Sequence, residues 1–288
     1  MSARLPRILL AASAALVAST SPAWGQVYHF STGTPDGAIA TASQPGGNGQ
    51  LETETADDFL LTQQTAITGG TFTGLLPANT DVASIGNVVI EIYQVFPADS
   101  DTGRTLTVPT RSNSPSDVAL TSLDESLGQL VVSTTTLNST FSVANSVVNG
   151  IHPMPGQLTG GEGPVSGEEV QFSFTLSSAL DLPADHYFFV PQVQLANGTF
   201  LWLSAARPIV APGTSFQPDL QSWVRDANLA PDWLRVGTDI IGQGTFNAAF
   251  SLDGFSVPEP STWAMMLIGF AAIGWKIRGS RRRDPMYA

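Results

Sequence analysis

Between clusters of turn-forming residues, apolar and polar positions alternate along this chain with a period of two. That is the spacing of a strand with one buried face. It predicts strands over Ala66–Leu75, Val88–Val95, Gln129–Thr135, Glu169–Leu176, His186–Leu195, Thr199–Ser204 and Thr245–Leu252. In the second of these, Val88, Ile90 and Ile92 share a face and Glu91 is expected on the solvent side. Asn197-Gly198, between Val193-Gln194-Leu195 and Phe200-Leu201-Trp202, reads as a tight hairpin turn. Pro153, Pro155 and the Gly160 to Gly163 cluster mark one long loop, and Ser112 to Ser116 mark another. No amphipathic helix of three turns is visible, Asp219 to Leu229 being the stretch suited to a short one, and no internal repeat is found. Seven or more short strands joined by polar loops predict an all-β fold, an antiparallel β-sandwich of jelly-roll type, as one domain over residues 26–257.

Both ends break this pattern. Arg4 and Arg7 precede an apolar run from Ile8 to Ala18, followed by small residues at Ser19, Ser21, Ala23 and Gly25. This is the order of a secretory signal peptide over residues 1–25, with the mature start at Trp24 or Gln26. A run of eleven residues falls short of the roughly 20 that a membrane span needs. At the other end Val257-Pro258-Glu259-Pro260-Ser261-Thr262 leads into the apolar stretch Trp263 to Trp275, and Lys276, Arg278, Arg281, Arg282 and Arg283 follow. The two prolines are expected to hold their segment extended, where a processing enzyme can grip it. The apolar stretch is expected to form a short hydrophobic anchor helix. At ~1.5 Å per residue it covers about 18 Å, so crossing a bilayer requires flanking residues or local thinning. Trp263 and Trp275 suit the two interfaces, and the arginine cluster sets a cytoplasmic end.

The string VPEPSTWAMMLIGF with its basic follower resembles the PEP-CTERM sorting signal of exported bacterial proteins. The resemblance implies a Gram-negative, biofilm-forming or exopolysaccharide-producing source. It also implies an exosortase in the inner membrane that reads Pro258, Glu259 and Pro260 and cuts near them. Partners expected on this basis are the secretion machinery, the exosortase and an exopolysaccharide. The expected route is export, an inner-membrane anchored intermediate, and then the cell surface or extracellular matrix. Asp284 to Ala288 depart from the pattern by continuing past the arginines. Within the body, Thr55 to Leu61 with Ile67 and Thr71 to Gly74, and later Leu182 to Phe189, look like strands of bacterial exported sandwich modules, a likeness that implies a fold and no activity.

Composition narrows the chemistry. The chain has no cysteine, which removes disulfides, thiolate ligands and thiol nucleophiles. Of twelve basic residues two fall in 1–25 and five in 258–288; of twenty-four acidic ones two fall in the tail. The body therefore keeps five basic and twenty-two acidic residues, a net charge of −17 with no lysine. Such a surface does not bind nucleic acid by counterion release.

Candidate functional residues are few. His29, His152 and His186 are the only histidines, and neither a G-x-S-x-G elbow nor an H-E-x-x-H motif occurs. His186 beside Asp185 opens an apolar strand, which suits a locally hydrogen-bonded strand-end histidine better than a general base. Asp99-Ser100-Asp101-Thr102-Gly103 supplies two carboxylates, hydroxyls and a turn glycine for calcium, though it lacks an EF-hand's final glutamate, and a solvated turn accounts for the same letters. No other cofactor is expected. Asp57-Asp58, Asp124-Glu125 and Glu168-Glu169 are the other carboxylate pairs. Adjacent carboxylates on a strand point to opposite faces, against a two-carboxylate glycosidase. Trp202 alternates with Leu201 and Leu203 and reads as core. Trp223 and Trp233 lie in a polar stretch, where their flat faces would suit a glycan or pack a loop. The expectation is an exported, non-catalytic envelope or matrix protein, with a glycan-binding module and a secreted hydrolase as alternatives.

Overall fold

The computed structural model describes residues 25–47, 49–151, 158–206, 220–257 and 260–280. The signal segment before residue 25, His152 with Pro153 and Pro155, Pro258 with Glu259, and Arg281, Arg282 and Arg283 lie outside the described residues. The strands in chain order are β1 (Val27–Ser31), β2 (Pro35–Ala42), β3 (Thr53–Leu60), β4 (Thr65–Pro77), β5 (Ile85–Gln94), β6 (Thr121–Asp124), β7 (Leu130–Val143), β8 (Asn145–Val147), β9 (Val165–Leu182), β10 (His186–Leu195), β11 (Leu201–Ala205), β12 (Trp223–Asp226), β13 (Leu234–Arg235), β14 (Asn247–Ala248) and β15 (Phe250–Ser256). Among the described residues the one α-helix, α1, covers Pro260–Ser280, and short helical turns stand at Val82–Ser84, Glu125–Leu127 and Val236–Ile241.

Two sheets pack face to face. The six-stranded sheet runs β13-β12-β3-β10-β5-β6 and is antiparallel throughout. The nine-stranded sheet branches at β4, which pairs with β9 along one edge and divides its other edge between β15 and β11. Outside that branch β9 carries β7, β15 carries β1, and β11 carries β2, to which β8 pairs in parallel. This order makes two packed, largely antiparallel sheets.

The period-two pattern produces the core directly. Phe172 and Phe174 of β9, Phe72 of β4 and Phe250 and Leu252 of β15 face inward from one sheet. Phe59 of β3, Ile90 and Ile92 of β5, and Tyr187 and Phe189 of β10 face them from the other. The Phe189 ring lies 5.1 Å from that of Phe250 and 5.7 Å from that of Phe174, and Phe72 stacks on Phe172 at 4.8 Å. Such offset and stacked pairs add to the area they bury. Gly74 admits the Phe200 ring, since a Cβ there would stand 2.1 Å from Phe200 Cε2.

Two sequence expectations are corrected. Asn197-Gly198 is no hairpin turn: β10 lies in the six-stranded sheet and β11 in the nine-stranded one, so the chain crosses between sheets. The residues on both sides, Leu195 and Phe200, enter the same core, and burial of both overrides the local turn signal. The stretch suited to a short helix instead holds strand β12, which pairs with β3 through Trp223↔Ala56 to Asp226↔Thr53. There Trp223 and Arg225 point to one side and Val224 to the other, a strand period in a segment whose polar residues suggested a loop or helix.

The body closes on its own two ends. β1 pairs antiparallel with β15, from Val27↔Phe255 to Ser31↔Ser251. The Ser256 amide donates to the Gln26 carbonyl at 2.8 Å, and the Gln26 amide to Ser256 Oγ at 2.8 Å. The last body hydrogen bond on this side runs from the Val257 amide to the Gln64 carbonyl at 2.8 Å, one residue before Pro258.

Candidate functional site

Alternation in β3 sends Thr55, Asp57 and Phe59 to one face of the six-stranded sheet and Glu54, Ala56 and Asp58 to the other. On that second, outer face Glu54 and Asp58 meet Glu91 and Tyr93 of β5, His186 and Phe188 of β10, and Trp223 and Arg225 of β12. Residues 96–120 and 227–233 cover much of it, so most of these polar groups are buried.

At its centre Arg225 pairs with Glu54: Nε donates to Oε2, and Nη2 to Oε1 at 3.0 Å. The guanidinium lies 4.3 Å from the Trp233 ring and 5.1 Å from the Tyr93 ring. Burial alone would pull Arg225 toward deprotonation, but the Glu54 carboxylate outweighs it and holds the guanidinium's pKa above its usual value. The Tyr93 oxygen lies 2.6 Å from Glu54 Oε1, 3.0 Å from Glu91 Oε2 and 2.7 Å from Arg225 Nη2. That hydroxyl owns one hydrogen and accepts another from Arg225, so it donates to only one of the two carboxylates. Below pH about 7 a proton on Glu91 completes the set. Burial, and next the Glu54 charge, push its carboxyl up to about 7.

A second network lies above the first. Asp117 accepts from Arg104 Nη1 at 2.8 Å, Arg111 Nη2 at 2.6 Å and the Asp101 amide at 2.9 Å. Asp232 accepts from Arg104 Nη2 at 2.6 Å and Thr107 Oγ1 at 2.8 Å, with Arg111 Nε at 3.2 Å. Burial raises the Asp117 carboxyl, but its hydrogen bonds from Arg104, Asp101 and Arg111 leave it below the usual carboxylate range. Arg235 pairs with Asp239. Every described arginine of the body is thus held by a carboxylate of the same body.

The sequence candidates fall as follows. Asp57 and Asp58 do face opposite sides: Asp57 accepts from the Ala248 amide at 2.8 Å and Ser222 Oγ at 3.1 Å, whereas Asp58 accepts from the Leu220 amide at 3.0 Å and meets His186 Nε2 at 2.7 Å. His186 therefore pairs with Asp58 across the strands, while the carboxylate of its neighbour Asp185 accepts from the His186 amide. His29 is half exposed and pairs with Asp253 at 2.7 Å. Asp101 Oδ1 accepts from the Gly103 amide at 3.0 Å, and Asp99 stands at a left-handed turn position. No group of three or more metal-ligating side chains stands together among the described residues. Asp124 caps the 125–127 turn and Glu168 accepts from Thr136.

The expectation for Trp223 and Trp233 is corrected by their placement: each is 1% exposed, so neither offers a face to a sugar. Trp223 Nε1 donates to the Leu220 carbonyl and Trp233 Nε1 to the Ser116 carbonyl, both at 3.2 Å. Trp202 is core, as its alternation predicts. Glu91 lies on the face opposite Val88, Ile90 and Ile92, as its alternation predicts, but it is partly buried there beside Tyr93 and not freely solvated. Glu54, Arg104, Arg111 and Asp117 were missed altogether, because they sit in polar segments without periodicity. The available signal was charge balance: in a body with five arginines among twenty-two acids, each arginine has carboxylates to find.

In the tail, Pro260 is the first residue of α1 and not part of an extended segment. Proline's fixed φ and missing N–H are tolerated at a helix's first position. Trp263 and Trp275 both lie on α1, and Leu267, Ile268, Phe270, Ile273 and Trp275 are exposed. The expected transmembrane helix is not borne out: among the described residues no helix is long and apolar enough to cross a membrane. The uninterrupted apolar part ends at Trp275, before Lys276 and Arg278, short of a ~30 Å hydrocarbon layer.

With the fold a two-sheet β protein whose last strand ends at Ser256 and this helix beginning at Pro260, comparison with known families decides what the tail is. Residues 256–283 match the family described as the PEP-CTERM protein-sorting motif. The chain is an exported protein carrying the sorting signal of an exosortase substrate. No curated protein and no solved structure matches it.

Proposed function

We propose that this protein acts without catalysis at the cell surface or in the extracellular matrix, in association with exopolysaccharide, once an inner-membrane exosortase has processed its tail. The observation that carries the reading is the sorting motif beginning at Ser256, the last residue of β15. The exposed apolar side chains of α1 supply the means by which the unprocessed chain is held at the membrane. The body adds two supports. Its described arginines are consumed internally, so acidic groups dominate its exterior. Its aromatic and carboxylate candidates are bound up in structural hydrogen bonds. The jelly-roll kinship belongs to the same reading, since successive strands β3, β4 and β5, and again β9, β10, β11 and β12, alternate between the sheets.

Intact mass of the protein from an exosortase-bearing host tests this. Wild type is expected to lose the segment after the Pro258 to Pro260 region. The Pro258→Ala, Pro260→Ala double variant, in which the helix is free to grow toward Val257, is expected to be exported but to stay full length. Wild type retaining Trp263 to Ala288, or equal processing of both, removes the sorting reading. Turnover of the producer's exopolysaccharide that disappears in His186→Ala removes the non-catalytic one, since His186 with buried Asp58 is the pair best suited to proton transfer.

A further inference from the structure

Among the described residues the strands that pair on one side only are unequal. β1, β6, β8, β13 and β14 have five, four, three, two and two residues. The remaining one is β7, fourteen residues long and paired with β9. Its register with β9 is unbroken from Leu130↔Leu176 to Thr136↔Val170 and shifts only beyond Thr136. Within the strand there is no charged residue and no proline, although the body carries −17. Residues 133–140 are exposed without interruption, and Val131 is 68% exposed. Edge strands are normally guarded by brevity, charge, proline or a cover. Among the described residues the first half of β7 has none of these guards. Beside it runs a groove of about 350 Å³, bounded by Val132, Ser133 and Thr134 on one wall and Ile85, Asn87 and Glu125 on the other.

From this we infer that the Leu130–Thr136 edge of β7 is a self-association surface, on which a second copy of this chain adds its own β7 antiparallel to form a two-fold dimer with a continuous sheet. Alternate residues of an edge strand direct N–H and C=O away from the sheet, and only another extended backbone satisfies that row. An antiparallel pair of identical strands is self-complementary about a two-fold axis. Charge selects the copy among possible strands. The other surfaces of two −17 bodies repel, while Leu130 to Thr136 bring seven uncharged residues to their like. The Ser133-Thr134-Thr135 run supplies cross-strand hydroxyl pairs and β-branched contacts, while the Thr136 hydroxyl is held by Glu168. Association is therefore expected to strengthen with salt, which screens the bodies and leaves the strand pair untouched.

The absence of cysteine makes the test direct. Single cysteines are placed in the full chain at each position from Val131 to Leu137, and at Val27 and Val118 as exposed controls, 78% and 60% accessible. The variants are exported into an oxidising compartment and run on non-reducing gels. Opposed residues of an antiparallel pair stand ~4.5–5.5 Å apart at Cα, within disulfide range, and each residue of offset from the two-fold axis adds about 7 Å. The expected result is a dimer band that peaks at one or two adjacent β7 positions, at least tenfold above both controls, and falls away on either side. Thr135→Lys in the peak background is expected to abolish the band, and Thr135→Ser to keep it. No β7 yield above the controls, uniform yield along the strand, or a band indifferent to Thr135→Lys overturns the inference. Because monomer export and tail processing are read on the same gels, this result is separable from the sorting reading.

Discussion

The two faces of the six-stranded sheet are built on opposite principles. Its inner face is aromatic: Phe59, Tyr187 and Phe189 mesh with Phe72, Phe174 and Phe250, and stability comes from area removed from water and from ring contacts. Its outer face is nearly as buried but holds Glu54, Asp58, Glu91 and Arg225 among Tyr93, Trp223 and Trp233. There each charge is tolerated only because a named partner stands against it. The inner face resists loss of volume; the outer face resists loss of a partner.

That contrast makes its strongest prediction through paired truncations. Phe189→Ala empties a site at the junction of both sheets and is expected to cost about 3–5 kcal/mol, with no second truncation restoring it. Arg225→Ala is expected to cost a similar ~3–5 kcal/mol, for the different reason that it leaves Glu54 buried and unpaired. Adding Glu54→Gln to Arg225→Ala removes the stranded charge and should return about 1–3 kcal/mol. Denaturant unfolding of the exported protein measures all three. If Glu54→Gln deepens the loss, Arg225 acts mainly by packing over Trp233 and the contrast between the faces fails.

Next in size is the effect of pH on Glu91. Its carboxyl is raised to about 7 in the fold by burial and by Glu54, against an ordinary value of 4.5. The folded state therefore binds this proton more tightly than the unfolded state. The stability it contributes is complete below pH ~4.5 and is lost as pH rises through about 7, on the order of 3 kcal/mol in all. Glu91→Gln mimics the protonated form. Its melting temperature should match wild type near pH 4.5 and exceed it above pH 8. Equal melting temperatures at both pH values would show that Glu91 is not the shared proton's carrier.

The same contrast explains what was legible in the sequence. Strands β4, β5, β9 and β10 were readable because their inner residues are apolar and alternate, as in Val170, Phe172, Phe174 and Leu176. β3 carries Glu54, Asp57 and Asp58, so its acids hide from hydrophobic periodicity a strand that is buried along nearly all its length, and the likeness of Thr55 to Leu61 to exported sandwich modules was its signal. β12 was hidden the same way by Arg225 and Asp226. Hydrophobic periodicity reports transfer from water, and it is blind to polar groups buried by pairing. The crossing at Asn197-Gly198 was misread because a turn dipeptide specifies local geometry and not which sheet receives the next strand. The tail needed no fold at all, since its order of residues is itself the signal.

The smallest expected effect is that of calcium at Asp99 and Asp101. A site at ~100 Kd of calcium would add about 2.7 kcal/mol to the folded state, several degrees for a body of this size. Asp101 has already committed Oδ1 to the Gly103 amide, and its own amide to Asp117. The adjacent loop is neutralised by Arg104 and Arg111, both bound to Asp117. A cation arriving there meets a turn whose oxygens are partly spent and whose nearest carboxylate already answers two arginines, so the shift between calcium and chelator is expected to stay within about 1 °C. Asp101→Asn keeps the acceptor for Gly103 and removes the charge. It should leave the melting temperature in chelator unchanged and identical to that in calcium. A rise of several degrees with calcium in wild type, absent in Asp101→Asn, would mean that this loop opens to take a metal, and that the covering of the outer face is less rigid than its arginine ties imply.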